Sequence, residues 1–191
     1  DVYIDLQFST YFVPSKLSAQ DGMEVSLQNF EKVTIDGNVA ATILGTAAAD
    51  TLTGDAGADT ITGRGGADTI TGGSRSDKFV FASGDTGITE ATADTITDFS
   101  TGTDKIDIDA PGTYVEADGT ATANFAAFIT AANASLTTAS DDIYSQYNFT
   151  GGGNTLLVVD ENKSGTVNAG DTLIILTGLS TAGGLDASDF I

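Results

Sequence analysis

Apolar and polar residues alternate at the start of the chain: Val2, Ile4, Leu6 and Phe8 interleave with Tyr3, Asp5, Gln7 and Ser9. This period of two predicts a strand with one buried face. Phe12-Val13-Pro14 ends it, and Met23, Val25 and Leu27 begin a second alternation, followed by Phe30, Val33 and Ile35. Asp21-Gly22 and Asp36-Gly37 are turn signals between these runs. From Gly45 the pattern changes to a period of nine. The segments GTAAADTLT, GDAGADTIT, GRGGADTIT and GGSRSDKFV follow one another without a gap. Each has Gly at its first position, Asp at its sixth (Asp50, Asp59, Asp68, Asp77) and a large apolar residue at its eighth (Leu52, Ile61, Ile70, Phe79). The nine residues before them keep only the apolar eighth position, Ile43, as expected near the end of a solenoid.

Past the repeats, short strands are expected around Phe79-Val80-Phe81 and through Ile96, Phe99, Ile106 and Ile108. One stretch reads as a helix. Between Asn124 and Leu136 the residues Phe125, Phe128, Ile129, Ala132 and Leu136 fall on one face. The tail returns to strands at Ile143 to Phe149, Leu156 to Val159 and Leu173 to Leu176, with a Gly151-Gly152-Gly153 turn after the first. The expected fold is therefore mainly all-β: a solenoid of short stacked strands with a C-terminal β-rich cap carrying one helix. Its expected parts are residues 1–44 (β segment and degenerate repeats), 45–80 (the repeats) and 81–191 (the cap).

Charge sharpens this picture. Over 191 residues there are 27 acids and 7 bases, a net charge of −20, and the acids are 22 Asp to 5 Glu. Asp is a poor helix former but a good turn residue and oxygen ligand. A chain this acidic is a poor partner for nucleic acid or anionic membrane. With no His and no Cys, zinc sites of the usual kind, Ser-His and Cys-His catalysis and disulfides are all excluded. No apolar run approaches the ~18 residues of a membrane span. No signal peptide is visible at the start of the sequence, and the missing start Met suggests a piece of something longer. Such a self-repelling chain needs a cation to become compact, and with few Lys and Arg a bound metal ion is the expected source.

The repeat has a mechanical reading. A three-residue strand can reverse within six residues only where Gly supplies unusual backbone angles. Two repeats then make one coil, and coils stack about 4.8 Å apart. Asp50 is expected above Asp68, and Asp59 above Asp77. Stacked carboxylates repel unless a cation lies between them. Asp with backbone carbonyls is a hard-oxygen set suited to Ca²⁺.

On these residues the chain resembles the RTX proteins, whose Ca²⁺-binding nonapeptide has this pattern. The resemblance implies a parallel β-roll in which each ion takes carbonyls and an Asp from one repeat and from the repeat after next. One site would use Thr46, Ala48 and Asp50 with Gly63, Gly65 and Asp68. The next would use Asp55, Gly57 and Asp59 with Gly72, Ser74 and Asp77. Asp68 would also serve a layer above through Arg64 and Gly66. Ala48 and Arg75 stand where Gly is usual, which implies weaker binding there. The run DTITDFSTGTDKIDID from Asp94 resembles the module that follows the roll in serralysin-like proteases and in the R-modules of alginate epimerases. There the Asp before Thr-Ile caps the last calcium layer. Asp94 matches it, with Asp98 and Asp104 as further candidates; a solvated acidic edge strand is the alternative. The ending LDASDFI is similar to type I secretion signals.

A separate candidate is the loop DENKSGTVNAGD. Asp160, Asn162 and Gly165 match positions one, three and six of the EF-hand loop pattern, with Ser164 at five and Asp171 at twelve. An ordinary hairpin loop is the alternative. The expected function is a non-enzymatic module, binding two or more Ca²⁺, of a secreted or cell-surface RTX protein. Its expected partners are calcium, the type I secretion machinery and neighbouring copies or the upstream part of its parent. The alternative is a carbohydrate-binding accessory module like the epimerase R-modules. The strand at 2–8 is expected at the end of the stack, covered by a neighbouring chain or by residues 11–16.

Overall fold

The computed structural model describes residues 2–3, 25–28, 32–34, 40–108, 113–116, 124–136, 142–149, 153–179 and 184–191. Expectations for residues 4–24, 30, 35–37 and 151–152 lie outside the described residues. Two sheets face each other. The first orders its strands β1 (Val2–Tyr3), β2 (Val25–Gln28), β4 (Ala41–Leu44), β6 (Thr60–Thr62), β8 (Lys78–Phe81) and β10 (Lys105–Ile108). Every neighbouring pair in it is parallel. The second runs β11 (Tyr114–Glu116), β12 (Ile143–Phe149), β13 (Asn154–Val159), β14 (Thr172–Leu176), β9 (Asp94–Ile96), β7 (Thr69–Gly73), β5 (Thr51–Asp55) and β3 (Lys32–Thr34). Among the described residues the mainly β class, the parallel roll and the one α-helix expected from the sequence are present.

The period of nine dictates this arrangement. Successive repeats alternate between the sheets, so each strand pairs with the strand two repeats on: Thr51 with Thr69, Leu52 with Ile70, Ile61 with Phe79. Identical register at every step stacks the eighth positions inward. Ile43, Leu52, Ile61, Ile70 and Phe79 are wholly buried in one apolar column, continued by Ile96 and Ile106. The flanking Thr residues point outward on the pleat.

The cap extends the same sheets. Strand β14 pairs in parallel with β9, then β13 and β12 follow antiparallel. These strands are covered on both faces. Leu157, Val159, Ile174 and Leu176 join the roll core. Leu156, Val158 and Leu173 pack with Tyr144 and Phe149 under helix α1 (Phe125–Ser135). Asn124 caps the helix, its side chain accepting from Ala127 N–H at 3.0 Å. Phe128 is the helix's main anchor, 0% exposed and packed against Tyr144 and Phe149. We expect Phe128→Ala to cost about 3–5 kcal/mol, read as a shift in the urea midpoint at saturating Ca²⁺.

The C-terminal segment is part of the fold. Asp186 caps a short 3₁₀ turn (Ala187–Asp189), and Phe190 bridges Ile106 at the edge of β10. Gly102 N–H donates to the buried Asp189 at 2.8 Å. At the other end β1 is the edge strand of its sheet. Among the described residues no helix is long and apolar enough to cross a membrane.

Candidate metal centre

The sixth-position Asp residues form two ladders, one along each edge of the roll. On one edge Asp50 N–H donates to Asp68 Oδ1 at 2.8 Å, and Asp68 N–H to Asp94 Oδ1 at 2.9 Å. On the other, Ala41 N–H donates to Asp59 Oδ1 at 2.7 Å, Asp59 N–H to Asp77 Oδ1 at 2.8 Å, and Asp77 N–H to Asp104 Oδ1 at 3.0 Å. One oxygen of each acceptor Asp thus ties its coil to the coil before. The other oxygen is a different matter. Oδ2 of Asp59, Asp68, Asp77 and Asp94 is buried and has no hydrogen-bond partner. A buried acceptor left unmade is costly, and a charged one more so.

Those of Asp59, Asp68 and Asp77 point at the first-position glycines of their own turns. A Cβ on Gly45 would lie 2.5 Å from both Asp50 Oδ2 and Gly63 O. A Cβ on Gly54 would lie within 2.5 Å of Asp59 Oδ2 and Gly72 O. Glycine is required there because a carboxylate oxygen and a carbonyl from the repeat after next converge on that space. Among the described residues no three acidic side chains gather at one point. An ion held here must therefore draw on backbone carbonyls as well as Asp. Carboxylate and carbonyl oxygens on a turn fit a hard divalent cation such as Ca²⁺.

Electrostatics agree with that fit. Burial pushes Asp59, Asp68 and Asp77 up to about 6, against the opposing backbone hydrogen bonds and with help from neighbouring carboxylates. Asp94 is pushed up to about 8, by burial first and then by its like-charged neighbours, among them Asp68, Asp85 and Asp50. Asp104 is raised as well, again chiefly by burial. Two ion pairs lie away from these turns: Lys78 pairs with Asp107 at 2.9 Å, and Lys105 with Asp189 at 3.7 Å.

The first turn is less open than the others. Asp50 Oδ2 accepts from Thr46 N–H at 2.5 Å, and the Thr46 hydroxyl lies 3.1 Å from both Asp50 oxygens and 3.5 Å from Ala48 O. Asp55 O accepts from Ser74 N–H at 2.6 Å. Gly57 and Gly65 occupy the middles of their turns. Gly66 has φ +123° and bridges Thr86 in the segment after β8. Asp55, Arg64 and Arg75 adopt φ values of 119°, 70° and 84°, angles that favour Gly. Arg64 still contributes a bond, its guanidinium donating to Gly45 O at 3.2 Å.

Above the repeats the three candidate Asp residues separate. Asp98 uses both oxygens, on Gly72 N–H at 2.9 Å and Gly73 N–H at 2.7 Å. Asp104 uses both, on Asp77 N–H and on Ser100 N–H at 2.8 Å. Asp94 alone of the three keeps an unpartnered oxygen. Sequence reasoning missed Asp85, whose charge bears on both Asp68 and Asp94. It sits with Gly84, Thr86 and Gly87 in a recess shared with Gly65 and Gly66. The Gly84-Asp85 pair was its available signal. Asp160, Asn162 and Asp171 lie outside these turns, in the loop joining β13 to β14.

Residues 44–78 match the family model of the RTX calcium-binding nonapeptide repeat, in four copies. No curated protein matches the chain. Among solved structures the chain is similar to the AlgE6R3 subunit of the Azotobacter vinelandii mannuronan C5-epimerase, at 22% identity and a TM-score of 0.54, covering 91% of this chain and 83% of that one. The AlgE6R2 subunit of the same enzyme matches at 20% identity and a TM-score of 0.35, over 81% of this chain and 92% of that one. The first likeness shows a common fold. With the ladders of buried Asp, residues 44–78 are identified as four RTX calcium-binding nonapeptide repeats, wound as a parallel β-roll.

Proposed function

We propose that this chain is a calcium-folded, non-enzymatic module of an exported protein. The observation that carries this reading is the set of buried Asp oxygens without partners, aligned layer upon layer on both edges of the roll. Two or more ions would lie between the layers. One would be held by Thr46, Ala48 and Asp50 with Gly63, Gly65 and Asp68. The next would be held by Asp55, Gly57 and Asp59 with Gly72, Ser74 and Asp77. A third layer would join Arg64, Gly66 and Asp68 to Asp94. Residues 1–44 lead into the roll, 45–80 hold the ions and 81–191 close the stack.

At low cytosolic calcium the carboxylates repel and the chain stays open enough for a type I export channel. Outside, calcium near the 10⁻⁴–10⁻³ M range typical of extracellular modules closes the roll. The C-terminal tail suits this order of events. Leu185, Asp189 and Phe190 are buried against the cap once folded, and are legible to a transporter only before. Calorimetry and metal analysis of the folded protein should find at least two Ca²⁺ per chain. A folded, calcium-free native protein would overturn the reading.

A second reading is a carbohydrate-binding accessory module, favoured by the fold shared with an epimerase subunit over 91% of the chain. The net charge of −20 opposes a polyanionic glycan. A glycan array in calcium buffer separates the two: saturable binding of one glycan class supports the second reading, and none leaves the folding module.

A further inference from the structure

We propose that the loop Asp160–Asp171, between β13 and β14, is a calcium site of its own, separate from the turns of the roll. The family match ends at residue 78 and does not reach it. Asp160 and Asp171 are both 0% exposed, which is unusual for two carboxylates in one hairpin loop. Asp171 uses Oδ2 to accept from Asn168 N–H at 2.7 Å and its carboxylate is also held by the Asn162 backbone N–H, while its buried Oδ1 has no hydrogen bond of ordinary geometry. The neighbouring Glu161 repeats the pattern. The Thr172 hydroxyl donates to one of its oxygens, and the other, Oε2, is buried and unpartnered. The negative charges of Asp160 and Glu161 both act on Asp171. The loop carries three acids, Asp160, Glu161 and Asp171, and a single basic residue, Lys163.

The loop's remaining oxygens stand at calcium-loop positions. Counting Asp160 as position one, positions three, five, seven, nine and twelve are Asn162, Ser164, Thr166, Asn168 and Asp171. Those positions supply side-chain oxygens, a carbonyl at seven and a carboxylate at twelve in EF-hand loops. Gly165, at position six, has φ 73°, as the sharp turn requires. Asp160 accepts from Gly165 N–H at 2.7 Å and Ser164 N–H at 3.0 Å, which curls the loop around its first carboxylate. Ser164 Oγ lies 2.8 Å from Thr166 O, and Asn168 Nδ2 lies 2.6 Å from each of them. The neutral oxygens of Ser164 and Thr166 are therefore gathered within the same loop. The absence of a three-carboxylate group among the described residues is consistent with this mixed set. An ordinary hairpin loop needs neither the buried acids nor their unsatisfied oxygens.

The test uses the whole chain and Ca²⁺ alone. Ion number is measured by calorimetry and metal analysis, and the Gly165 amide is followed by NMR as calcium rises. Asp171→Asn is expected to bind one ion fewer than wild type, with its β-sheet circular dichroism retained and the Gly165 response abolished. Asn162→Ala combined with Ser164→Ala, both exposed positions, is expected to weaken one class of ion by roughly tenfold or more. This double variant decides the matter should Asp171→Asn fail to fold. In Asp59→Asn the Gly165 response should persist, which separates this site from those of the roll. A Gly165 amide that does not move with calcium overturns the proposal. So does a double variant that binds every ion like wild type.

Discussion

Chelating calcium from the native protein is expected to abolish its β circular dichroism and the protection of its core amides, with both returning when Ca²⁺ is restored. The apolar column from Ile43 to Ile106 is narrow, and the turns that wind around it hold four buried Asp oxygens without partners. Without a cation the roll must bury that charge or protonate it. Protonation sets the pH dependence. Burial raises Asp59, Asp68 and Asp77 to about 6 and Asp94 to about 8, above the 3.8 of a free Asp. Between about pH 4 and 8 the metal-free fold therefore binds more protons than the unfolded chain, and its stability falls as pH rises through that window. Calcium takes the ionised form, so binding releases protons and tightens over the same range. The calcium midpoint should fall between pH 5 and pH 8, while residual metal-free structure is greater at pH 5. Calorimetry in buffers of different ionisation enthalpy should show the released protons. A midpoint that does not change with pH would contradict the buried-carboxylate account.

Asp68→Ala is expected to raise the calcium midpoint for folding well above that of Asp50→Ala. Asp68 links three coils: its Oδ1 accepts from Asp50 N–H, its own N–H donates to Asp94, and its Oδ2 is unpartnered. Removing the carboxylate strands the Asp50 N–H inside the roll, at about 1–3 kcal/mol, and opens the layers on both sides. Asp50 stands at the start of the described ladder. Its carboxylate accepts from the N–H and hydroxyl of Thr46, within the same turn. Its loss costs a local turn and one layer. Titrations followed by circular dichroism compare the two variants directly, and equal midpoints would refute the idea that Asp68 is shared between layers.

Much of this was legible in the sequence because the roll's interactions repeat at a fixed separation. Gly at position one, Asp at six and an apolar residue at eight recur every nine residues, and parallel stacking converts that spacing into register without further information. The pairing of Asp50 with Asp68 and of Asp59 with Asp77 follows from it. So does the inward column at Ile43, Leu52, Ile61, Ile70 and Phe79. The helix was legible for a similar reason, since Asn124 and the apolar spacing from Phe125 to Leu136 are local signals.

Where the period stops, only the tertiary structure decides. The next coil is longer, so Asp94 and Asp104 lie 26 and 27 residues beyond Asp68 and Asp77 yet take the same ladder positions. Their different fates depend on Ser100 N–H, which occupies the second oxygen of Asp104 and leaves that of Asp94 open. Asp85 approaches the same carboxylates through a loop whose path carries no periodic signal. Strand β11, short and only half-buried, was not foreseen, nor was the continuation of the roll's own sheet through β14 into the cap. In the Asp160–Asp171 loop the spacing of acids was readable, but the burial that leaves Asp171 Oδ1 and Glu161 Oε2 without ordinary hydrogen bonds was not. Nine-residue spacing specifies contacts between copies of itself; partners brought together by a single long-range fold have no such repetition to announce them.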